Sequence, residues 1–435
     1  MIFKKIINNY FTTGIKDSFY SLIIKLFDYL SVFLVSFLLT NILSIEEYGK
    51  FVFLERMVFL FATLFIFGQD FVVRANTVKN IKIKKTDINL IKTSKLNILL
   101  TFIFFAPITY FFLIYNDIDS EIYVLFFVLA ILPSMLSFLN SSILIGKRIN
   151  WAGVLMRRVL GRLILFLVIC FMLAVKYSLS IEILALIFLF SILFQFITSE
   201  ILLKKLLDIK LLKLISGFSF KHSKNNLILG FPYFLTNMTF VLSQQMPFII
   251  LAFFNKNIFI SKLDIALKIS SLALIPLVVS AGVISSRVGY FHHQNKIEKI
   301  NELVIKVNTW LKIYGFIFLI IMITFGPYLI QIFGNEFIDS YGLLIILSIA
   351  QFLNLSFGHT GEIMKVIGLE KVLAILSLIY LSINSILILL FIENLIGIGI
   401  SFLISSFLFN YLKSRLLYNK TYIMTNLFNL NFKFK

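Results

Sequence analysis

Apolar residues run through the chain in twelve stretches of helical length, each bounded by charged or turn-forming residues. They cover roughly 21–43, 51–69, 96–115, 122–145, 152–175, 181–203, 226–254, 259–285, 309–333, 340–360, 371–392 and 395–417. About 20 mostly apolar residues in a helix cross the hydrocarbon core of a bilayer. A membrane β-barrel would show alternating segments of about ten residues, whereas these runs are continuous. The pattern predicts an all-α polytopic membrane protein with twelve transmembrane helices.

Composition narrows the class. Of 435 residues, 60% are hydrophobic and 14% charged, Phe alone contributes 51, and mean hydropathy is +0.98. Soluble domains carry roughly 25% charged residues, so a soluble enzyme, a secreted disulfide scaffold and a disordered chain are excluded. The single cysteine, Cys170, can form no disulfide within the chain. No cleavable signal is read at the N-terminus, where the first apolar run is too long and no small-residue cleavage site follows it.

A net charge of +19 would point to nucleic acid in a soluble protein. In a membrane protein its placement sets the topology instead, because cytoplasmic loops collect Lys and Arg. With the N-terminus cytoplasmic, 34 of the 40 Lys and Arg fall inside, and the others are Lys50, Arg56, Lys176, Lys256, Lys262 and Lys268. The outward stretches 116–121 and 331–340 hold Asp and Glu but neither Lys nor Arg. Both termini are therefore expected in the cytoplasm, and no nucleic-acid partner is expected.

The longest inner loop, 204–225, divides an N-terminal six-helix bundle, 1–203, from a C-terminal bundle with its cytoplasmic tail, 226–435. Six spans per half give both halves the same orientation, as in parallel repeats. Laying 48–56 beside 260–268 places Arg56 opposite Lys268, early in the second helix of each half. All six prolines lie within or at the ends of apolar runs, and Pro232, Pro247 and Pro276 in successive runs predict bending in the second half. Residues 1–16 space Ile2, Phe3, Ile6, Ile7, Tyr10 and Phe11 at helical intervals, which suits a short helix on the inner leaflet. An unstructured tail is the alternative.

Motifs for chemistry are missing. The chain has no G-x-x-x-x-G-K-[ST], no H-E-x-x-H and no G-x-S-x-G, the patterns that cradle phosphate, bind zinc or present a nucleophile. Four histidines and one cysteine build no convincing metal site. No catalytic residue, metal or cofactor is expected, and no outward loop is long enough for an enzyme acting on external polymer. What remains is transport.

Ionisable residues inside spanning helices are costly and are candidates for function. The first helix carries Lys25 and Asp28 on one face, where they can pair. The second carries Glu55 and Arg56 near its outer end and Asp70 near its inner end. Asp264 and Lys268 lie four apart in the eighth, and His359, Glu362 and Lys365 close the tenth. Arg157, Arg158 and Arg162 open the fifth; the first two read as snorkelling to lipid headgroups, and Asp70 with Arg74 as a structural pair. Arg56 and Lys268 stand out because few basic residues occur on the outer side. Gln244, Gln245, Asn237 and Asn140 can bind sugar hydroxyls, although interhelical hydrogen bonding is the commoner use. A mainly positive lining favours an anionic substrate.

Several passages carry a family resemblance. Residues 39–49 read Leu-Thr-Asn-Ile-Leu-Ser-Ile-Glu-Glu-Tyr-Gly, and 67–74 read Phe-Gly-Gln-Asp-Phe-Val-Val-Arg. Ile332-Phe333-Gly334-Asn335-Glu336-Phe337 follows the ninth helix, and Gly397-Ile398-Gly399-Ile400 opens the twelfth. In this order and spacing the chain resembles the Wzx-type O-unit flippases of the multidrug/oligosaccharidyl-lipid/polysaccharide (MOP) exporter superfamily. The resemblance implies a multi-pass protein of the bacterial inner membrane that moves undecaprenyl-pyrophosphate-linked oligosaccharide to the periplasmic leaflet by alternating access. It implies membrane lipids around it, and a polysaccharide polymerase and chain-length regulator as partners. Related lipid II flippases place essential basic residues at positions that here correspond to Lys25, Arg56 and Lys268. Asp28 and Asp264 depart from that pattern by partly neutralising two of the lysines, and helices thirteen and fourteen of lipid II flippases are lacking. Asp28, Asp70, Asp264 and Glu362 are the carboxylates available for ion coupling. The rivals are a cation-coupled antiporter of the same superfamily, which should show acidic residues in its cavity, and a polysaccharide polymerase or ligase.

Overall fold

The computed structural model describes residues 2–78, 85–115, 121–207 and 220–425, and every regular element among them is a helix. The chain divides into two compact units, Met1–Val241 and Leu242–Lys435. Residues 208–219 of the predicted inner loop lie outside the described residues.

The first unit contains α1 (Ile2–Ile42), α2 (Ile45–Phe65), α3 (Gln69–Thr77), α4 (Lys85–Ile114) and α5 (Glu121–Gly146). After α6 (Asn150–Val154) comes a π-turn, Leu155–Val159, then α7 (Leu160–Ala174), α8 (Ile181–Leu207) and the first part of α9 (Phe220–Phe253). The helix expected on the inner leaflet is not separate, because α1 continues through it without a break. A capping box starts α2: the Ser44 hydroxyl accepts from the Glu47 N–H, and the Glu47 carboxylate accepts from the Ser44 N–H. That exchange satisfies two donors a helix start leaves over.

The helix breaks after Phe65. Gly68 has φ +70°, and α3 leaves at 60° to α2. A Cβ at Gly68 would collide with the Gly230 backbone of α9, so only glycine allows both the left-handed turn and the close approach. At the same place the Gln69 amide donates to the Asn226 carbonyl at 3.1 Å.

At the centre of this unit α5 packs against α2, α3, α4 and α8. Its buried Ser134, Ser137, Asn140 and Ser141 are small enough to let neighbouring helices approach. Phe51, Phe59, Phe127, Phe138 and Phe188 fill the space between α2, α5 and α8 with edge and stacked contacts at 5.0–6.4 Å.

In the second unit α10 (Asn257–Ser271) runs through a short 3-10 turn into α11 (Ile275–His293), followed by α12 (Ile297–Gln331). Pro276 lies in the first turn of α11, where its missing N–H costs nothing. Then come α13 (Tyr341–Phe357), α14 (Thr360–Val366), α15 (Glu370–Leu390) and α16 (Leu395–Thr421), with α13 packed on α10, α12 and α16.

Among the described residues nine helices are long and apolar enough to cross a membrane, or up to eleven if each of two bent pairs is one span. The predicted stretch 152–175 falls on the helical run that the π-turn divides, which leaves α7 with 15 residues. Phe104, Phe111 and Trp310 are 68%, 70% and 67% exposed, an arrangement that water penalises and lipid does not.

Candidate functional site

Charge in the first unit gathers around the π-turn. In the turn, the Leu160 N–H reaches back to the Leu155 carbonyl, one residue further than in an α-helix. Arg157 and Arg158 belong to this turn and Arg162 to the first turn of α7. The Arg158 guanidinium carbon lies 4.5 Å from the Phe59 ring centre and 5.7 Å from that of Phe138; Arg157 lies 5.2 Å from Phe138. Phe59 and Phe138 are themselves stacked, at 6.3 Å and 16°, and form a platform from α2 and α5. A cation over such a face gains about 0.5–2 kcal/mol, more where water is excluded.

Acidic groups surround the arginines. Arg162 Nη1 donates to Asp28 Oδ1 at 2.6 Å, joining α7 to α1. Arg158 is within electrostatic reach of Arg162, Arg157, Asp28 and Glu55. Arg157 stands in the same relation to Asp70 and Arg74 of α3. Asp70 is 4% exposed at the start of α3, with the backbone N–H groups of the first turn beside its carboxylate, a placement that the helix dipole favours. Its Oδ1 has no hydrogen-bond partner among the described residues. Four guanidinium groups against three carboxylates leave the cluster net positive. Planar, stacked guanidinium groups suit bidentate recognition of phosphate oxygens.

No sequence-family model matches the chain, and no curated protein matches its sequence. Solved structures do match. An inward-facing multidrug-resistance MATE transporter of the MOP superfamily has a TM-score of 0.74 at 16% identity, covering 92% of this chain and 98% of that one. The lipid II flippase MurJ, inward closed, has a TM-score of 0.71 at 18% identity, covering 92% and 86%. A MOP transporter from Pyrococcus furiosus, whose reverse pocket polarity is described as suggesting a different function, has a TM-score of 0.64 at 15% identity, covering 94% and 95%. The chain has the fold that these solved structures share.

Within this fold the predicted residues fall as follows. Lys25, Asp28, Arg56 and Asp70 belong to the first unit; Gln244, Gln245, Asp264, Lys268 and Glu362 belong to the second. Lys25 and Arg56 are half-buried on α1 and α2. The expected Lys25–Asp28 pairing is not found, because Asp28 is taken by Arg162. Lys268 bonds the fully buried Asp264 at 2.5 Å, so it carries its own counter-charge. Glu362 bonds Lys365 at 2.8 Å near the surface. Gln244 is exposed and Gln245 half-buried. The reading of Arg158 as a snorkelling side chain is corrected: it folds onto Phe59, and its Nε is buried with no hydrogen bond among the described residues.

Two features of the structure escaped the sequence reading. Lys95 of α4 forms an ion pair with Glu200 of α8, and the Asn140 amide donates to both Glu200 and Ser199 at 2.8 Å. The signal was present as opposite charges, Lys95 just before the run 96–115 and Glu200 inside the run 181–203. Gln195, the one amide in the run 181–203, contacts the backbone of the π-turn.

Proposed function

We propose that this protein is a Wzx-type flippase that moves undecaprenyl-pyrophosphate-linked oligosaccharide across the bacterial inner membrane by alternating access. The observation that carries this reading is the net-positive arginine cluster on the π-turn, with Arg158 directed onto an aromatic platform inside the helical unit. A pyrophosphate needs cationic partners that stay charged in a poorly hydrated place, and arginine meets that need better than lysine. The MOP fold supports the reading because MurJ, described as a lipid II flippase, shares it. Arg56, Lys25 and Lys268 remain further basic contacts in this proposal, with Gln244 and Gln245 for sugar hydroxyls. We take the chain as twelve spans, six in each half, with both termini cytoplasmic, working beside a polymerase and a chain-length regulator.

A second reading, a cation-coupled antiporter, is favoured by one observation: Asp70, buried with an oxygen that has no hydrogen-bond partner among the described residues. Such a carboxylate can take a proton or a metal cation. Reconstituted wild-type protein separates the two. Movement of the pyrophosphate-linked glycolipid between leaflets supports the flippase; proton-driven efflux of cationic dyes with no glycolipid movement supports the antiporter.

A further inference from the structure

In an unbroken α-helix the Gly161 N–H would bond the Arg157 carbonyl. Here both groups bond one side chain instead: Gln195 Oε1 accepts from the Gly161 N–H at 2.9 Å, and Gln195 Nε2 donates to the Arg157 carbonyl at 3.2 Å. The amide of α8 thus stands inside the hydrogen-bond ladder of its neighbour and satisfies both groups that its insertion separates. An open ladder without that partner would leave two buried polar groups unpaired. Gly161 makes the insertion possible, since a Cβ there would lie 2.6 Å from Gln195 Oε1 and 3.4 Å from Ile192 Cδ1. Gln195 is 1% exposed, so this amide is enclosed by protein.

The consequence reaches the charges. A π-turn houses one residue more than an α-helix of the same rise, and one residue is a rotation of about 100°. Arg157 and Arg158 lie within the turn, with their guanidinium groups on Phe138 and Phe59, while Arg162 lies just beyond it. Closing the ladder without removing a residue would turn Arg162 and the rest of α7 about 100° out of phase with α6.

We infer that Gln195 is a positioning residue, holding Arg157, Arg158 and Arg162 together as one anion subsite for a pyrophosphate group. The identity of that anion rests on the flippase reading; the geometry of the turn does not.

The test measures binding of inorganic pyrophosphate to the purified full-length protein, and separately glycolipid transport in proteoliposomes. Gln195→Leu weakens pyrophosphate binding roughly tenfold or more, the loss of one well-placed charge-assisted bond, in protein that still unfolds cooperatively. Gly161→Ala, which drives a Cβ against the same amide, gives the same loss and serves if the first variant does not fold. Deleting Leu155 in the Gln195→Leu background removes the extra residue and brings α7, with Arg162, back into phase with α6, so binding recovers. Lost packing alone would not be repaired by a deletion. Unchanged affinity in Gln195→Leu, or no recovery on deletion, overturns the positioning role. Wild type that transports the glycolipid but binds no pyrophosphate overturns the subsite and leaves the flippase reading standing. Pyrophosphate binding that depends on Gln195, in protein that moves no glycolipid, supports the subsite and sinks that reading.

Discussion

Arg162 Nη1 meets Asp28 Oδ1 at 2.6 Å, so a basic group of α7 is held by an acidic group of α1. Both side chains keep partial exposure, 16% and 36%, and an incoming anion can compete with Asp28 for the guanidinium. A resident carboxylate that must be displaced weakens substrate binding by the strength of the bond it gives up.

Asp28→Asn should therefore lower the apparent KM for the pyrophosphate-linked substrate several-fold, on the order of 1 kcal/mol of lost competition. Arg162→Gln should raise it. Initial rates against substrate density in proteoliposomes check both, and a rise in KM for Asp28→Asn would show that the pair supports the site rather than competing with its ligand.

Arg158 and lysine are not equivalent at this position. The guanidinium is stacked on Phe59, 4.5 Å from the ring centre, and a lysine ammonium neither stacks in that way nor offers a planar fork. Arg158→Lys should retain less than about a tenth of wild-type uptake, on the scale of one lost bidentate contact. Phe59→Leu, which leaves the charge and removes the platform, should give a smaller loss. Uptake by Arg158→Lys equal to wild type would contradict the stacked geometry.

The Lys95–Glu200 pair predicts stability rather than transport. Lys95 is 4% exposed and Glu200 24%, and Asn140 completes the bonding. Breaking a buried pair on one side costs about 3–5 kcal/mol, whereas replacing both partners by apolar groups is often close to neutral. Glu200→Leu should lower the melting temperature sharply, and adding Lys95→Met should recover much of it. Additive losses in the double variant would show that the pair is not coupled.

Gly68→Ala places a Cβ against the Gly230 backbone at a residue with φ +70°. The left-handed conformation alone costs roughly 1–2 kcal/mol for alanine, and the collision adds to it. The variant should yield little folded protein by size-exclusion chromatography, while Gly282→Ala, with open space around its Cβ position, should behave as wild type.

The helical class was readable because membrane spans declare themselves by length and apolar content; each predicted run falls on helix. The break at Gly68 and the π-turn were not, for the same reason in both cases. Gly68 is set by Gly230, and the turn at Leu155–Val159 is set by Gln195, partners far away in sequence whose approach no local pattern reports. Charges behaved likewise. Lys268 with Asp264 is a pairing along one helix and was visible in the spacing; Asp28 with Arg162 crosses from α1 to α7, and local spacing suggested Lys25 instead. Arg158 read as a headgroup-seeking side chain because hydropathy gives depth in the bilayer but not the facing direction, which here follows from the turn.

The most direct measurement is translocation of undecaprenyl-pyrophosphate-linked oligosaccharide in proteoliposomes by wild type, Arg158→Ala, and Arg56→Ala with Lys268→Ala. The account predicts transport by wild type, its loss in Arg158→Ala at equal protein level, and a lesser defect in the double variant, where Lys268 already carries Asp264. Wild type that moves no glycolipid but expels cationic dyes along a proton gradient would contradict it.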